Sequence, residues 1–102
     1  MAAMFDRAHF DHMTGSDRAL QLEVLSLFRE QVDGWGVELA EGDWRTAAHT
    51  IKGSARGIGL HALAAACERA EAAGAAEFAL TEVRAALHEA LAALEAFVAE
   101  SA

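Results

Sequence analysis

The chain has few of the residues that interrupt helices or cross-link the backbone. Its 102 residues include no proline and no tyrosine, and the only cysteine is Cys67. Proline interrupts helices by removing a backbone donor, so nothing of that kind limits them here, and a lone cysteine excludes an internal disulfide. Because Cys67 falls in the apolar periodicity of its segment, we predict a buried, unreactive thiol, which fits a reducing compartment.

Basic residues and long apolar runs are also scarce. Eight Lys and Arg residues stand against 16 Asp and Glu residues, which gives a net charge of −8. This acidic balance argues against binding to nucleic acid or to an anionic membrane. No apolar run approaches the roughly 20 residues of a membrane span, and residues 1–7 lack the basic-then-apolar layout of a secretory signal. We therefore expect a cytoplasmic protein with no membrane or nucleic-acid partner, and Met1 favours a freestanding protein over an excised module.

Alanine is abundant instead, at about a quarter of all residues, and apolar residues make up 54% of the chain. Alanine is the strongest helix former. Five segments carry apolar residues at helical spacing, at about 6–13, 17–40, 44–58, 61–73 and 80–99. Short connections between long amphipathic helices favour antiparallel neighbours. We predict one all-α domain over residues 1–102, an antiparallel up-down four-helix bundle with a short extra N-terminal helix packed as a lid.

The ends of these helices carry local signals. Ser16 is predicted to be the N-cap of the second helix and Asp43 that of the third. Gly42, Gly59 and Gly74 are placed where helices end, because glycine adopts the left-handed conformation of a C-terminal cap.

The second helix is predicted to turn a long apolar face to the core: Leu20, Val24, Leu27, Phe28, Val32, Trp35 and Leu39. On its outward side, Leu22 and Leu25 would either meet a partner helix or lie under the short first helix. Several glutamates in the fourth and fifth helices are interpreted as solvated and receive no role: Glu68, Glu71, Glu89 and Glu95.

The third helix has the most informative pattern. At about 100° per residue, one stripe of it is apolar: Trp44, Ala48, Ile51, Ala55 and Ile58. His49 is predicted to face outward, in a column with Arg45, Lys52 and Arg56. Gly53 follows His49 by one turn and brings no side chain. A histidine that receives a bulky, doubly charged group from another protein needs both a nearby cation and free space.

These residues resemble the signature of histidine-containing phosphotransfer (HPt) domains, which reads A-H-x-[LI]-K-G-S, then a hydrophobic-Gly pair, then a helix with L-x-x-x-C-x-x-L-E. The matching positions are Ala48 to Ser54, Ile58-Gly59, Leu63, Cys67 and Glu68. The preceding Glu41-Gly42-Asp43-Trp44 is similar to the usual entry of the active-site helix. Two departures concern packing: Ala70 replaces a leucine, and Leu60 follows Gly59 where a small residue is common.

The resemblance implies a role for each residue of the motif. His49 would be the phosphoacceptor, exchanging a phosphoryl group reversibly with an aspartate of a receiver domain. Lys52 would help to neutralise the phosphoryl group, and Gly53 would leave room for the partner. Ser54 would hydrogen-bond the phosphate or hold the local geometry.

Arg45 and Arg56 are predicted to add supporting charge. The implied partners are receiver domains of response regulators and of hybrid histidine kinases in a multistep phosphorelay. No cofactor is expected in this chain, since the Mg²⁺ would belong to the receiver. The sequence has no Gly-rich phosphate loop or nucleotide motif. We therefore predict a monomeric phosphocarrier without independent turnover.

Two other functions compete with this one. The first is a helical-bundle interaction module without chemistry, which would not require the placement of Lys52 and Gly53. The second is a metal- or haem-binding bundle that uses some of the five histidines: His9, His12, His49, His61 and His88. Neither a repeated Glu-x-x-His motif nor a Cys-x-x-Cys motif supports it.

Overall fold

A computed structural model of the chain describes residues 5–74 and 77–100. These residues form five helices: α1 (Arg7–Thr14), α2 (Arg18–Glu41), α3 (Trp44–Ile58), α4 (His61–Ala73) and α5 (Glu77–Glu100). Each long helix packs on the next in chain order, and α5 packs back on α2. The four long helices thus form the predicted antiparallel bundle, with α1 as the short extra helix.

The core lies chiefly between α3, α4 and α5. The predicted apolar stripe of α3 is confirmed, because Ala48, Ile51 and Ala55 are each 0% exposed. Cys67 on α4 is equally buried, and this burial raises the pKa of its thiol to about 12. The thiol is therefore protonated and inaccessible, as predicted.

Helix α1 closes one end of the bundle. Phe5 and Phe10 pack against Phe97 near the end of α5, with ring centroids 5.3 and 5.9 Å away. The backbone N–H of Asp6 donates to the carbonyl of Gly59, in the turn between α3 and α4, at 2.8 Å. Helix α1 is therefore held by an aromatic cluster on one side and by a backbone hydrogen bond on the other.

Four of the predicted helix caps are confirmed in position: Asp43 caps α3, and Gly42, Gly59 and Gly74 follow the ends of α2, α3 and α4. Gly59 and Gly74 adopt the predicted left-handed conformation, whereas Gly42 does not, because its φ is −117°. The N-cap of α2 is Asp17 rather than Ser16, because Ser16 has a positive φ of 59° and belongs to the turn that ends α1. Helix α5 begins three residues earlier than position 80, at Glu77.

The predicted faces of α2 also need correction. Leu20 and Leu27 are 41% and 53% exposed rather than buried, because both line an open cleft between α1, α2 and α3. Leu25, which was expected to face outward, is 5% exposed and lies beside Leu91 and Leu94 of α5. Leu22 is 41% exposed at the same seam between α2 and α5.

In the part of the chain that the structure describes, no helix combines the length and the apolar character of a membrane span.

Candidate functional site

His49 lies on the outer face of α3, as the periodicity predicts. Its side chain is 73% exposed, while Ala48 beside it is fully buried. Asp43 is the N-cap of this helix, and its carboxylate accepts from the backbone N–H of Thr46 at 3.1 Å, in the turn before His49. The imidazole is therefore presented to solvent from a rigid helix, packed on both sides by neighbouring helices.

Lys52 and Glu71 form the polar contact nearest to this imidazole. Lys52 Nζ lies 2.8 Å from Glu71 Oε1, and the two side chains are only 16% and 22% exposed. Glu71 Oε2 lies 3.6 Å from His49 Nδ1, an ion-pair distance that is longer than a hydrogen bond. The ammonium group of Lys52 is the main reason why the pKa of the Glu71 carboxyl lies below its ordinary value. One carboxylate thus contacts both the predicted phosphoacceptor and the predicted charge-neutralising lysine.

The two arginines of the predicted cationic column have other partners. Arg56 Nη2 donates to Glu68 Oε2 on α4 at 3.2 Å. The guanidinium carbon of Arg45 lies 4.7 Å from the centre of the Trp44 ring. Within the described residues, the charged group that contacts His49 is Glu71. The arginines share the face of His49 as sources of positive charge, without touching it.

The other flank of His49 is formed by glycines, which have no side chains. Gly53 follows His49 by four residues and Gly57 by eight, so both extend the same side of α3. A Cβ built at either glycine would meet nothing within 4 Å, so packing inside this protein does not require glycine there. Ser54 lies about 140° around the helix from His49, and its side chain faces α2 instead of the imidazole. The structure therefore brings Lys52 and Gly53 to His49 and places Ser54 on the neighbouring flank.

An apolar groove begins at this small-residue flank. It has a volume of about 370 Å³ and lies between α1, α2 and α3. Ser54 and Gly57 form its α3 wall, and Met13 from α1 with Leu20 and Leu27 from α2 form the opposite walls. We call this feature the α1–α2–α3 groove. It continues directly from the side of His49 that carries no charge.

Glu71 is the site residue that the sequence analysis missed. The signal was present, because the HPt pattern ends in L-E, and its leucine position is occupied by Ala70. The glutamate of that pattern is therefore Glu71 rather than Glu68. Side chains of helices lean toward their own N-termini, so in antiparallel α3 and α4 Lys52 and Glu71 lean toward each other. Glu68 instead pairs with Arg56 at the exposed edge of the same interface.

The remaining histidines lie elsewhere. His61 Nε2 lies 3.0 Å from Asp6 Oδ2, and the His9 and His61 rings meet edge to face at 5.7 Å. Among the residues that the structure describes, no group of three or more His, Cys, Asp or Glu side chains is arranged to hold a metal ion. His9 and His61 thus connect α1 to the start of α4.

Comparison with known proteins agrees with this geometry. The family model described as Hpt domain matches residues 23–97. Among solved structures, the histidine phosphotransferase ShpA from Caulobacter crescentus is 39% identical, with a TM-score of 0.86 over 97% of this chain and 94% of that one. No curated protein matches the chain significantly. The match of the Hpt model to most of the chain, together with the identity to ShpA, shows that the chain belongs to the Hpt domain family.

Proposed function

We propose that this chain carries a phosphoryl group on His49 between a hybrid histidine kinase, or its receiver domain, and the aspartate of a response regulator. Membership of the Hpt family supports a phosphotransfer role in a phosphorelay. The observation that carries the assignment to His49 is its place on α3, where a 73% exposed imidazole stands between an ion-paired lysine and an uncovered glycine.

Phosphoryl transfer requires little from the carrier beyond correct position and charge. Phosphoryl transfer proceeds in line between two oxygen or nitrogen nucleophiles, and proteins assist it mainly by orientation and electrostatic stabilisation. The nucleophile would be a neutral nitrogen of the His49 imidazole. Lys52, three residues after His49 and ion-paired with Glu71, supplies positive charge near the imidazole, with Arg45 and Arg56 on the same side of the helix.

The receiver domain would supply the remaining parts of the reaction. Its aspartate is the other phosphoryl carrier, and its Mg²⁺ would offset charge on the transferring group. On this view the chain is a phosphocarrier that needs no cofactor and no nucleotide of its own, acts as a cytoplasmic monomer and does not turn over a substrate independently.

The surface around His49 supports docking of such a partner. The receiver must bring its acidic pocket over the imidazole, and Gly53 leaves that approach open. The α1–α2–α3 groove presents Met13, Leu20 and Leu27, which are 59%, 41% and 53% exposed. Exposed apolar side chains in one concave patch are typical of protein interaction sites. We propose that an apolar helix of the receiver lies in this groove while its phosphorylation site faces His49.

Radiolabel transfer tests this function. The chain is incubated with a panel of receiver domains phosphorylated with ³²P, or with a hybrid histidine kinase and labelled ATP. We expect an acid-labile, alkali-stable label on the parent protein and none on His49→Gln. His88→Gln is the matched control, because His88 is also an exposed histidine on a long helix, and it should be labelled like the parent.

Two outcomes would contradict the proposal. Label that persists on His49→Gln would place the phosphoacceptor elsewhere. No label on the folded parent protein with any receiver or kinase would favour the alternative of a helical interaction module without chemistry.

A further inference from the structure

Two glutamates border the α2 side of the α1–α2–α3 groove. Leu27 lines the groove, and Glu23 and Glu30 lie one turn before it and one turn after it on the same helix. At 100° per residue, both are turned about 40–60° from Leu27 toward solvent and follow one row along α2. Both residues are exposed. We call Glu23 and Glu30 the acidic edge of the groove.

The acidic edge has no cation to pair with. Arg29 is next to Glu30 in the sequence, but its guanidinium turns to α5, where Nη2 lies 3.5 Å from Glu95 Oε1. Among residues 5–74 and 77–100, no lysine, arginine or histidine lies within ion-pair distance of Glu23 or Glu30. Both carboxylates are therefore available to cations of another molecule.

The α3 side of the groove has the opposite sign. Gly57 lines the groove there, and the cationic column lies about 80–140° farther around the helix. That column consists of His49, Arg45, Lys52 and Arg56. A helix lying in the groove would therefore meet negative charge along one side and positive charge along the other.

This difference in sign sets a condition on the receiver. Under the proposed function, the acidic phosphorylation pocket of the receiver lies over His49, next to the cations of α3. The chain itself carries a net charge of −8, so an evenly acidic receiver is repelled as a whole, and most directly at the acidic edge. Opposite charges across an interface raise the rate of encounter and fix its register, whereas like charges exclude wrong partners. The receiver therefore needs positive charge where it faces α2.

We propose, resting on the function above, that Glu23 and Glu30 select the receiver by pairing with lysine or arginine side chains along one side of the helix that lies in the α1–α2–α3 groove. The apolar side of that helix faces Leu27 and Met13, its basic side faces the acidic edge, and its remaining side adjoins the acidic pocket over His49. Charges on both sides fix the rotation of the helix about its own axis. Glu23 and Glu30 are thus specificity-determining residues that take no part in the transfer of the phosphoryl group.

Charge reversal tests this inference. Initial rates of ³²P transfer to His49 are measured over a range of concentrations of one phosphorylated receiver, the fastest donor of a panel, for the parent and for Glu23→Lys/Glu30→Lys. Exposed charges contribute modestly, so we expect about a threefold rise in KM for each reversed residue and roughly a tenfold rise for both, with the maximal rate unchanged. The rise should shrink to less than about twofold at high salt, because the Debye length falls from about 10 Å at 0.1 M to about 3 Å at 1 M.

Asp33→Lys/Glu89→Lys is the matched control, because it changes the net charge by the same amount. Both residues are exposed and lie outside the groove, Asp33 on the flank of α2 beside α5 and Glu89 on α5 itself. The KM of this control should stay within about twofold of the parent. A second experiment reverses charge on the receiver, whose lysine and arginine residues are replaced by glutamate one helix at a time. One of these receiver variants should restore the KM of Glu23→Lys/Glu30→Lys.

An unchanged or lower KM in Glu23→Lys/Glu30→Lys would overturn the inference. An equal rise in the control, a rise that persists at high salt, or the lack of a receiver variant that restores the KM would overturn it as well. In each of these cases His49 of the parent is still labelled, so the proposed function stands. A parent protein that no receiver labels would contradict the proposed function itself.

Discussion

Asp6 and Gly59 are joined by their backbones at the closed end of the bundle. The N–H of Asp6 donates to the Gly59 carbonyl at 2.8 Å, and a Cβ on Gly59 would lie 2.8 Å from the Asp6 carbonyl oxygen. Gly59 also has a φ of +102°, which disfavours any side chain. The site where α1 meets the turn between α3 and α4 therefore requires glycine for two independent reasons.

Gly59→Ala should consequently cost more stability than an alanine at the end of α4. Gly74 also has a positive φ, of +69°, but a Cβ there would meet nothing within 4 Å. We expect Gly74→Ala to lower the free energy of unfolding by about 1 kcal/mol through backbone strain alone. Gly59→Ala adds the clash with Asp6 and should lower it by about 3 kcal/mol. Urea unfolding of the two variants measures the difference, and equal losses would show that α1 moves aside freely.

The attachment of α1 should also weaken in acid. The pKa of Asp6 is lowered, first by the hydrogen bond from the His9 backbone N–H and then by His61. A carboxyl whose pKa is lower in the folded state contributes stability above its unfolded value, near pH 4, and loses it as the pH falls through the folded value. Asp6→Asn keeps an oxygen that can cap α1 but removes the charge. The unfolding free energy of the parent should exceed that of the variant at pH 6, and the two should converge toward pH 2. A difference that stays constant with pH would show that the charge of Asp6 does not cause it.

Gly53→Ala separates the needs of folding from those of transfer. A Cβ at this position has open space, so alanine should stabilise α3 by about 1 kcal/mol, because glycine is a poor helix former. The same methyl group stands one turn from His49 and should slow phosphoryl transfer from a receiver, by about tenfold if it costs the approach about 1.4 kcal/mol. Gly36→Ala is the matched control, since Gly36 lies inside α2, has open space and lines the seam with α5. It should stabilise the protein without slowing transfer, and an unimpaired Gly53→Ala would show that the partner does not come close to this position.

Leu27→Ser tests the groove as a docking surface. Leu27 is 53% exposed, so replacing it should change folding stability little, while a receiver helix would lose an apolar contact. We expect the KM for the phosphorylated receiver to rise by about tenfold, in the range of a moderate interface residue. Val37→Ser on the same helix provides the control, because Val37 is 57% exposed and lines the seam between α2 and α5. Equal effects of the two substitutions would contradict docking in the α1–α2–α3 groove.

Much of the bundle was predictable because its signals are local. Helices α3 and α4 end at left-handed glycines, and Asp43 caps α3 through its own side chain, so the order of residues alone indicates these boundaries. The start of α5 was less clear, because Phe78 is 78% exposed in its first turn and interrupts the inward apolar pattern. The assignment of His49 to the outer face of α3 also rests on local periodicity, and the structure agrees with it.

The parts that were missed depend on distant neighbours. The HPt pattern includes Glu71, but the approach of Glu71 to His49 depends on the register in which α3 and α4 pack, which spacing along either helix does not reveal. Likewise Leu25 and Leu27 both fit an apolar helix, but Leu25 is buried against α5 whereas Leu27 lines the open α1–α2–α3 groove. Predicting these contacts requires the lengths and positions of neighbouring helices.

His49 has a single uncharged flank, because ion pairs with α4 occupy the other one. If the donor and the acceptor of the proposed relay both dock in the α1–α2–α3 groove, they compete for one binding site. Under the proposed function they visit the chain one after the other and never form a ternary complex. An excess of either receiver would then act as an inhibitor of the other, and the flow of signal would depend on the relative abundance of the two as much as on the reactivity of the histidine.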